Sequence, residues 1–182
     1  MSALMLSRRG FITRAGGLCG AAATMRVRSA MADTVNVRSV SFVHTHTGEK
    51  LTAAYWQDGE YQAEVLQQVN HVLRDFRTNE VHTMDPALLD VLFELRTKVD
   101  SERAFHVISA YRSPKTNAML RQSSNGVAEH SMHMLGKAID VRLESFPTER
   151  LAEVARTLRR GGVGYYRASD FVHVDTGRVR YW

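Results

Sequence analysis

Ser131-Met132-His133-Met134-Leu135-Gly136-Lys137-Ala138-Ile139-Asp140-Val141-Arg142-Leu143 reads as a loop broken by a glycine and running into a central strand from Ala138 to Leu143. Thirty residues on, Asp170-Phe171-Val172-His173-Val174-Asp175 alternates polar and apolar side chains, the pattern of a strand with one buried face. In that strand His173 and Asp175 share a face while Val172 and Val174 turn to the core. His133 and Asp140 are seven residues apart with Gly136 between them, which excludes a single helical face but allows a loop and strand to bring both to one point. Two imidazoles and a carboxylate form the set that Zn²⁺ takes in an open site, with one position left for water. We therefore take His133, Asp140 and His173 as ligands of one zinc ion, and the chemistry they imply is metal-assisted hydrolysis.

Such chemistry needs a base for the attacking water. Asp170, three residues before His173, is the first candidate. Asp175 is the second, and its other reading is a carboxylate that orients His173 from behind. Arg112, in Ser109-Ala110-Tyr111-Arg112-Ser113, leaves the end of an expected strand and can serve either as an oxyanion donor or in a structural ion pair. His44 and His46 form an H-x-H pair without a third ligand nearby and are expected in a solvated hairpin.

Working outward, Val35–Val43 and Leu51–Trp56 read as two strands around the turn His44-Thr45-His46-Thr47-Gly48. Tyr61, Val65, Leu66, Val69, Val72, Leu73 and Phe76 recur at helical spacing. Asp85-Pro86 opens a second helix through Val99, and Ser113-Pro114 a third after the short β-prone run Phe105–Ala110. Residues 123–131 read as a loop. Thr148 starts a fourth helix to Arg160, which Gly161-Gly162-Val163-Gly164 is expected to end. Helices come first and strands dominate later, so the fold class is α+β in one small domain.

The N-terminus reads as an address. Ser7-Arg8-Arg9-Gly10-Phe11-Ile12 is a twin-arginine pattern, a mild apolar stretch runs from Ala15 to Thr24, and Ala30-Met31-Ala32 offers a cleavage site. Residues 1–32 are expected to be a signal peptide and residues 33–182 the working domain, delivered to the periplasm by the Tat export machinery. The five arginines of residues 1–32 face no acid; without them 19 of the 24 basic residues remain, against 19 acidic ones. A neutral mature chain excludes nucleic acid as a partner on charge grounds. The single cysteine, Cys19, falls in the signal, so the mature domain has neither a disulfide nor a thiolate ligand. Leu18 before Cys19 is too large for lipoprotein processing, and no stable membrane anchor is expected after cleavage.

The motifs Tyr111-Arg112-Ser113-Pro114-Lys115-Thr116-Asn117, Ser131-x-His133-x-x-Gly136-x-Ala138-x-Asp140, Gly161–Tyr166 and Phe171–Arg180 with Trp182 resemble the M15 group of zinc peptidases, and within it the twin-arginine-exported murein endopeptidase K, or YcbK-like, branch. The resemblance covers most of residues 40–182. It implies an antiparallel sheet with helices packed on it, a zinc site at the sheet, and hydrolysis of the peptide cross-links of peptidoglycan during wall growth and remodelling. It also implies Asp170 as base and Arg112 as the transition-state arginine. Alanine stands at 110 where glycine is usual, and the base is Asp where the dipeptidases of the group use Glu. The alternatives are an exo-acting D,D-carboxypeptidase or dipeptidase, and a zinc-stabilised peptidoglycan-binding module without turnover.

Overall fold

The computed structural model describes residues 36–123 and 126–182. The twin-arginine pattern and cleavage site therefore lie outside the described residues, as do two residues of the 123–131 loop. Eight strands form one sheet: β1 (Val37–His44), β2 (Lys50–Gln57), β3 (Glu60–Tyr61), β4 (Phe105–Ser109), β5 (Ala138–Leu143), β6 (Gly162–Tyr166), β7 (Phe171–Asp175) and β8 (Arg180–Tyr181). Their order across the sheet is β3-β2-β1-β4-β5-β7-β6-β8. Four helices accompany them: α1 (Ala63–Val72), α2 (Pro86–Lys98), α3 (Pro114–Ser123) and α4 (Thr148–Leu158).

The α+β class holds, but the sheet is mixed and not purely antiparallel, because β1–β4 and β6–β8 pair in parallel. Parallel neighbours cannot be joined by a tight turn and need a crossover. Here α1 and α2 intervene between the β1–β2 hairpin and β4, so the chain re-enters the sheet in the direction of β1.

Alternation sorts the central strands into two faces. Ile139, Val141 and Leu143 of β5 and Val172 and Val174 of β7 join Val40, Phe42, Phe105 and Val107 in one core. Leu88, Leu92 and Leu95 of α2 and Leu151, Ala152 and Ala155 of α4 close that core from the helical side. Each Val, Leu, Ile or Phe side chain among them, once buried, contributes about 1.5–3 kcal/mol. The other face keeps Asp140 and His173, which stand directly opposite each other in the β5–β7 register.

Several boundaries move for identifiable reasons. Helix α1 ends at Val72, short of the periodicity that runs on to Phe76. Asp75 takes over there: its carboxylate accepts the amides of Arg77 and Thr78 and bends the chain. Phe76 is left to stack on His46 at 4.1 Å. His44 is buried, not solvated, and its Nδ1 accepts the amides of His46 and Thr47. Helix α2 begins as expected, with the Asp85 carboxylate accepting the Ala87 amide at 3.0 Å. Helix α4 ends at Leu158, and the glycines after it lie mostly within β6. They serve close approach: a Cβ at Gly161 would strike the Asp175 carbonyl, one at Gly162 the Arg180 guanidinium, and one at Gly164 the Trp182 indole.

Asp75 also ties the segment carrying Arg112 to the rest of the domain. Its second oxygen accepts the Ser113 amide at 2.8 Å and the Ser113 hydroxyl at 2.7 Å. Burial acts to raise the Asp75 pKa, but these hydrogen bonds outweigh it and hold the group at about 2. An ordinary unfolded aspartate titrates near 3.9. The folded value is the lower one, so the stabilisation is complete above about pH 4 and disappears as pH falls through about 2. Asp75→Asn is therefore expected to cost about 2 kcal/mol at pH 7. Denaturant titrations at pH 7, 4 and 2 check this: the gap between variant and parent narrows towards pH 2, and a constant gap refutes the linkage.

Candidate metal centre

The cluster is assembled from three pieces of chain. Asp140 projects from β5 and His173 from β7, side by side through the register that pairs them. His133 comes from a 3₁₀ turn, Met132–Leu135, packed over that face. The turn is built by the residues flanking it. Ser131 accepts the His133 amide on its hydroxyl, and Gly136 closes the turn at φ 65°, where its carbonyl accepts the Asp85 amide at 2.9 Å. A side chain at 136 would meet both the left-handed backbone penalty and the Thr83 carbonyl.

The donor atoms converge. His133 Nε2 lies 3.1 Å from His173 Nδ1 and 3.2 Å from Asp140 Oδ1, and the last two are 2.8 Å apart. Ligand atoms around a tetrahedral zinc with bonds of about 2.0–2.1 Å sit about 3.3 Å from one another, so the triangle fits such an ion with small outward shifts. These three side chains form the one potential metal cluster of this kind among the described residues, and all three are buried.

Each donor is held from behind. His133 Nδ1 lies 2.6 Å from the Ala110 carbonyl, so that nitrogen carries the proton and Nε2 keeps its lone pair. His173 uses the opposite tautomer: Nε2 donates to Asp175 at 2.9 Å, and Nδ1 faces the cluster. Asp140 gives Oδ1 to the cluster and takes a 2.9 Å hydrogen bond from Arg112 on Oδ2. Such backing fixes ring orientation and raises the basicity of the ligand.

Protonation follows from burial set against these partners. Burial, the largest influence on His133, pushes its pKa down and keeps the ring neutral. Burial would raise Asp140, but the two imidazoles beside it hold it far below the usual carboxylate range. His173 is likewise pulled down by burial, yet its hydrogen bonds to Asp140 and Asp175 win and raise it. Asp175 is kept ionised against its burial by His173, Arg180 and the amides of Gly177 and Gly162.

The other expected site residues fall into distinct places. Arg112 lines the cleft of about 560 Å³ over the cluster and also pairs with Asp140 at 2.9 Å. Asp175 is fully buried and its two oxygens are occupied by five donors, leaving it to orient His173. Asp170 is not brought to the cluster. Its Oδ1 accepts the Thr148 hydroxyl at 2.6 Å, its Oδ2 pairs with Arg142 at 3.2 Å, and the side chain is 61% exposed. It lines a neighbouring cleft with His106 and Thr148, although Ser169 and Phe171 on either side of it line the metal cleft. A positive φ of 51° at Asp170 marks the turn into β7 where this happens.

Two structural roles escape sequence reasoning, although the residues that fill them stand in the matched motifs. Arg180 grips both oxygens of Asp175, at 3.0 and 2.7 Å, from a two-residue strand with no periodicity to announce it. Tyr166, Phe171 and Trp182 form an aromatic side to the cleft, brought together by the β8-β6-β7 order.

Known proteins match this chain along the whole domain. It is 42% identical over 154 residues to a probable peptidoglycan L,D-endopeptidase MepK of Haemophilus influenzae, covering 84% of this chain and 83% of the relative. It is 37% identical over 176 residues to the peptidoglycan L,D-endopeptidase MepK of Escherichia coli K12, covering 97% of each. A family model described as peptidoglycan L,D-endopeptidase MepK matches residues 32–182, a span that contains the cluster, its backing residues and the cleft: the chain belongs to this family of peptidases.

Proposed function

We propose that the protein is a zinc-dependent murein endopeptidase that hydrolyses peptide cross-links of peptidoglycan, working in the periplasm after twin-arginine export. The observation that carries the reading is the convergence of His133, Asp140 and His173, each backed by a fixed partner, at the floor of an open cleft in a member of this peptidase family. The relatives' names supply the substrate, and peptidoglycan places the site of action outside the cytoplasm. Among the described residues no helix is long and apolar enough to cross a membrane.

Zinc held by these three residues would supply a Lewis acid for the peptide carbonyl and lower the pKa of water at the site. The protein's own groups then divide the work. Asp175 and the Ala110 carbonyl keep the two imidazoles in the tautomers that point their lone pairs inward. Arg112 holds Asp140 through one nitrogen and lines the cleft, so its positive charge stands beside the carbonyl whose oxygen gains negative charge. Asp170, which lines the neighbouring cleft while Ser169 and Phe171 line the one over the cluster, accepts the proton of the attacking water after turning from Thr148, and passes it to the leaving amine. A site of this kind is not a closed structural zinc centre, which carries four protein ligands.

Muropeptide chromatography tests the reading. Incubation of the zinc-loaded protein with purified cross-linked peptidoglycan is expected to deplete dimeric muropeptides and raise monomers. Release of single D-alanines or dipeptides with dimers intact would replace the endopeptidase by an exo-acting enzyme. No change in any species, with zinc bound, would leave a binding module.

A further inference from the structure

We propose that Trp182 is a substrate-positioning wall of the metal cleft, against which the methylene chain of the cross-link's diamino acid packs; this rests on the endopeptidase reading above. Trp182 is 47% exposed, yet its indole is held in place on every other side. The ring occupies the space a side chain at Gly164 would need, with a Cβ there only 2.5 Å from indole Cε2 and Nε1. The indole N–H donates to the Tyr166 hydroxyl at 3.0 Å, and the Arg180 guanidinium lies 5.0 Å from the ring centre. Backbone pairing with Val163 and Tyr165 fixes the residue itself.

The face so presented belongs to the site. The indole centre is 5.3 Å from the ring of His173, and Trp182 lines the cleft. Tyr166 and Phe171, stacked at 4.6 Å, extend the same wall. Both arginines of this cleft are engaged with protein carboxylates, Arg112 on Asp140 beside the cluster and Arg180 on Asp175. What the wall offers a ligand is rigid apolar area, which suits a run of methylenes far better than a carboxylate or an alanine methyl.

The test uses two variants and two readouts. Trp182→Ala removes the wall; Gly164→Ala keeps the indole but pushes it off its seat. Each is expected to raise KM for a cross-linked muropeptide dimer about tenfold, with kcat within about threefold of the parent and zinc content unchanged. Trp182→Phe is expected to recover most of the KM. The protein contains two tryptophans, Trp56 and Trp182, so ¹⁵N-indole NMR gives two resonances, which the Trp182→Phe variant assigns. Titration with a stem tetrapeptide containing the diamino acid is expected to shift the Trp182 resonance and leave Trp56 in place. An unchanged KM in Trp182→Ala, or a loss confined to kcat, overturns the proposal, the latter making the indole a prop for His173. If the parent cleaves no dimer, the endopeptidase reading falls by itself. The resonance then decides this inference: movement on titration sustains it, and a stationary Trp182 signal overturns it.

Discussion

His133→Ala is expected to strip the protein of zinc and of all cross-link cleavage above the rate without enzyme. The reason is the number of donors. Three side chains supply the cluster, and the remaining pair, Asp140 and His173, would face each other across 2.8 Å with no third arm to close the site. Removing a residue that backs a ligand has a smaller effect. Asp175→Asn leaves all three donors in place but gives up one of the two oxygens shared by His173, Arg180, Gly162 and Gly177, so zinc affinity is expected to fall about 10–100-fold. Dialysis against a zinc buffer followed by metal analysis separates the two cases. The parent retains one zinc per chain; His133→Ala retains none; Asp175→Asn regains its zinc when the free concentration is raised. Zinc retained by His133→Ala at parental affinity would show that the metal sits elsewhere. Activity should follow occupancy in both variants, so restored cleavage in Asp175→Asn at high zinc ties the two measurements together.

The residues of the cluster were legible because each depends on local chain geometry. Alternation in Phe171–Asp175 puts His173 and Asp175 on one face whatever the rest of the fold does. Gly136 permits the turn that frees His133 from any helix, and a buried Asp140 amid apolar neighbours already calls for a partner. What stayed hidden depends on pairing between distant segments. Nothing local states that Asp140 stands opposite His173, that β1 pairs in parallel with β4, or that Arg180 returns beside β6. The glycines at 161, 162 and 164 were misleading for the same reason. They resemble a helix terminator, while their role is to admit the Asp175 carbonyl, the Arg180 guanidinium and the Trp182 indole from other strands. Asp75 shows the limit most plainly, since its periodic surroundings read as helix and its actual partner, Ser113, lies 38 residues away.

Asp170→Asn is expected to lower kcat on the order of 10²–10⁴-fold, with zinc content and fold preserved. Among the described residues the two carboxylates beside His173 are committed, Asp140 to the cluster and to Arg112, and Asp175, buried, to five donors. The obstacle is orientation, because Asp170 is turned to Thr148 and Arg142. The energy of those contacts is small. The Arg142 pair is exposed and contributes about 0–1 kcal/mol, and the Thr148 hydroxyl, donating to a half-exposed charged carboxylate, about 1.5 kcal/mol. Releasing the side chain towards the metal cleft therefore costs on the order of 1.5–2.5 kcal/mol, against the 3–5 kcal/mol or so that a positioned base contributes to the rate. Thr148→Val isolates this step, since it releases Oδ1 without touching the cleft over the metal, and is expected to leave kcat unchanged or raise it slightly. Single-turnover rates on a purified dimer at saturating zinc make the comparison. Parental turnover in Asp170→Asn would assign the proton transfer to another group, and a large loss in Thr148→Val would mean that Asp170 works from the position in which Thr148 holds it.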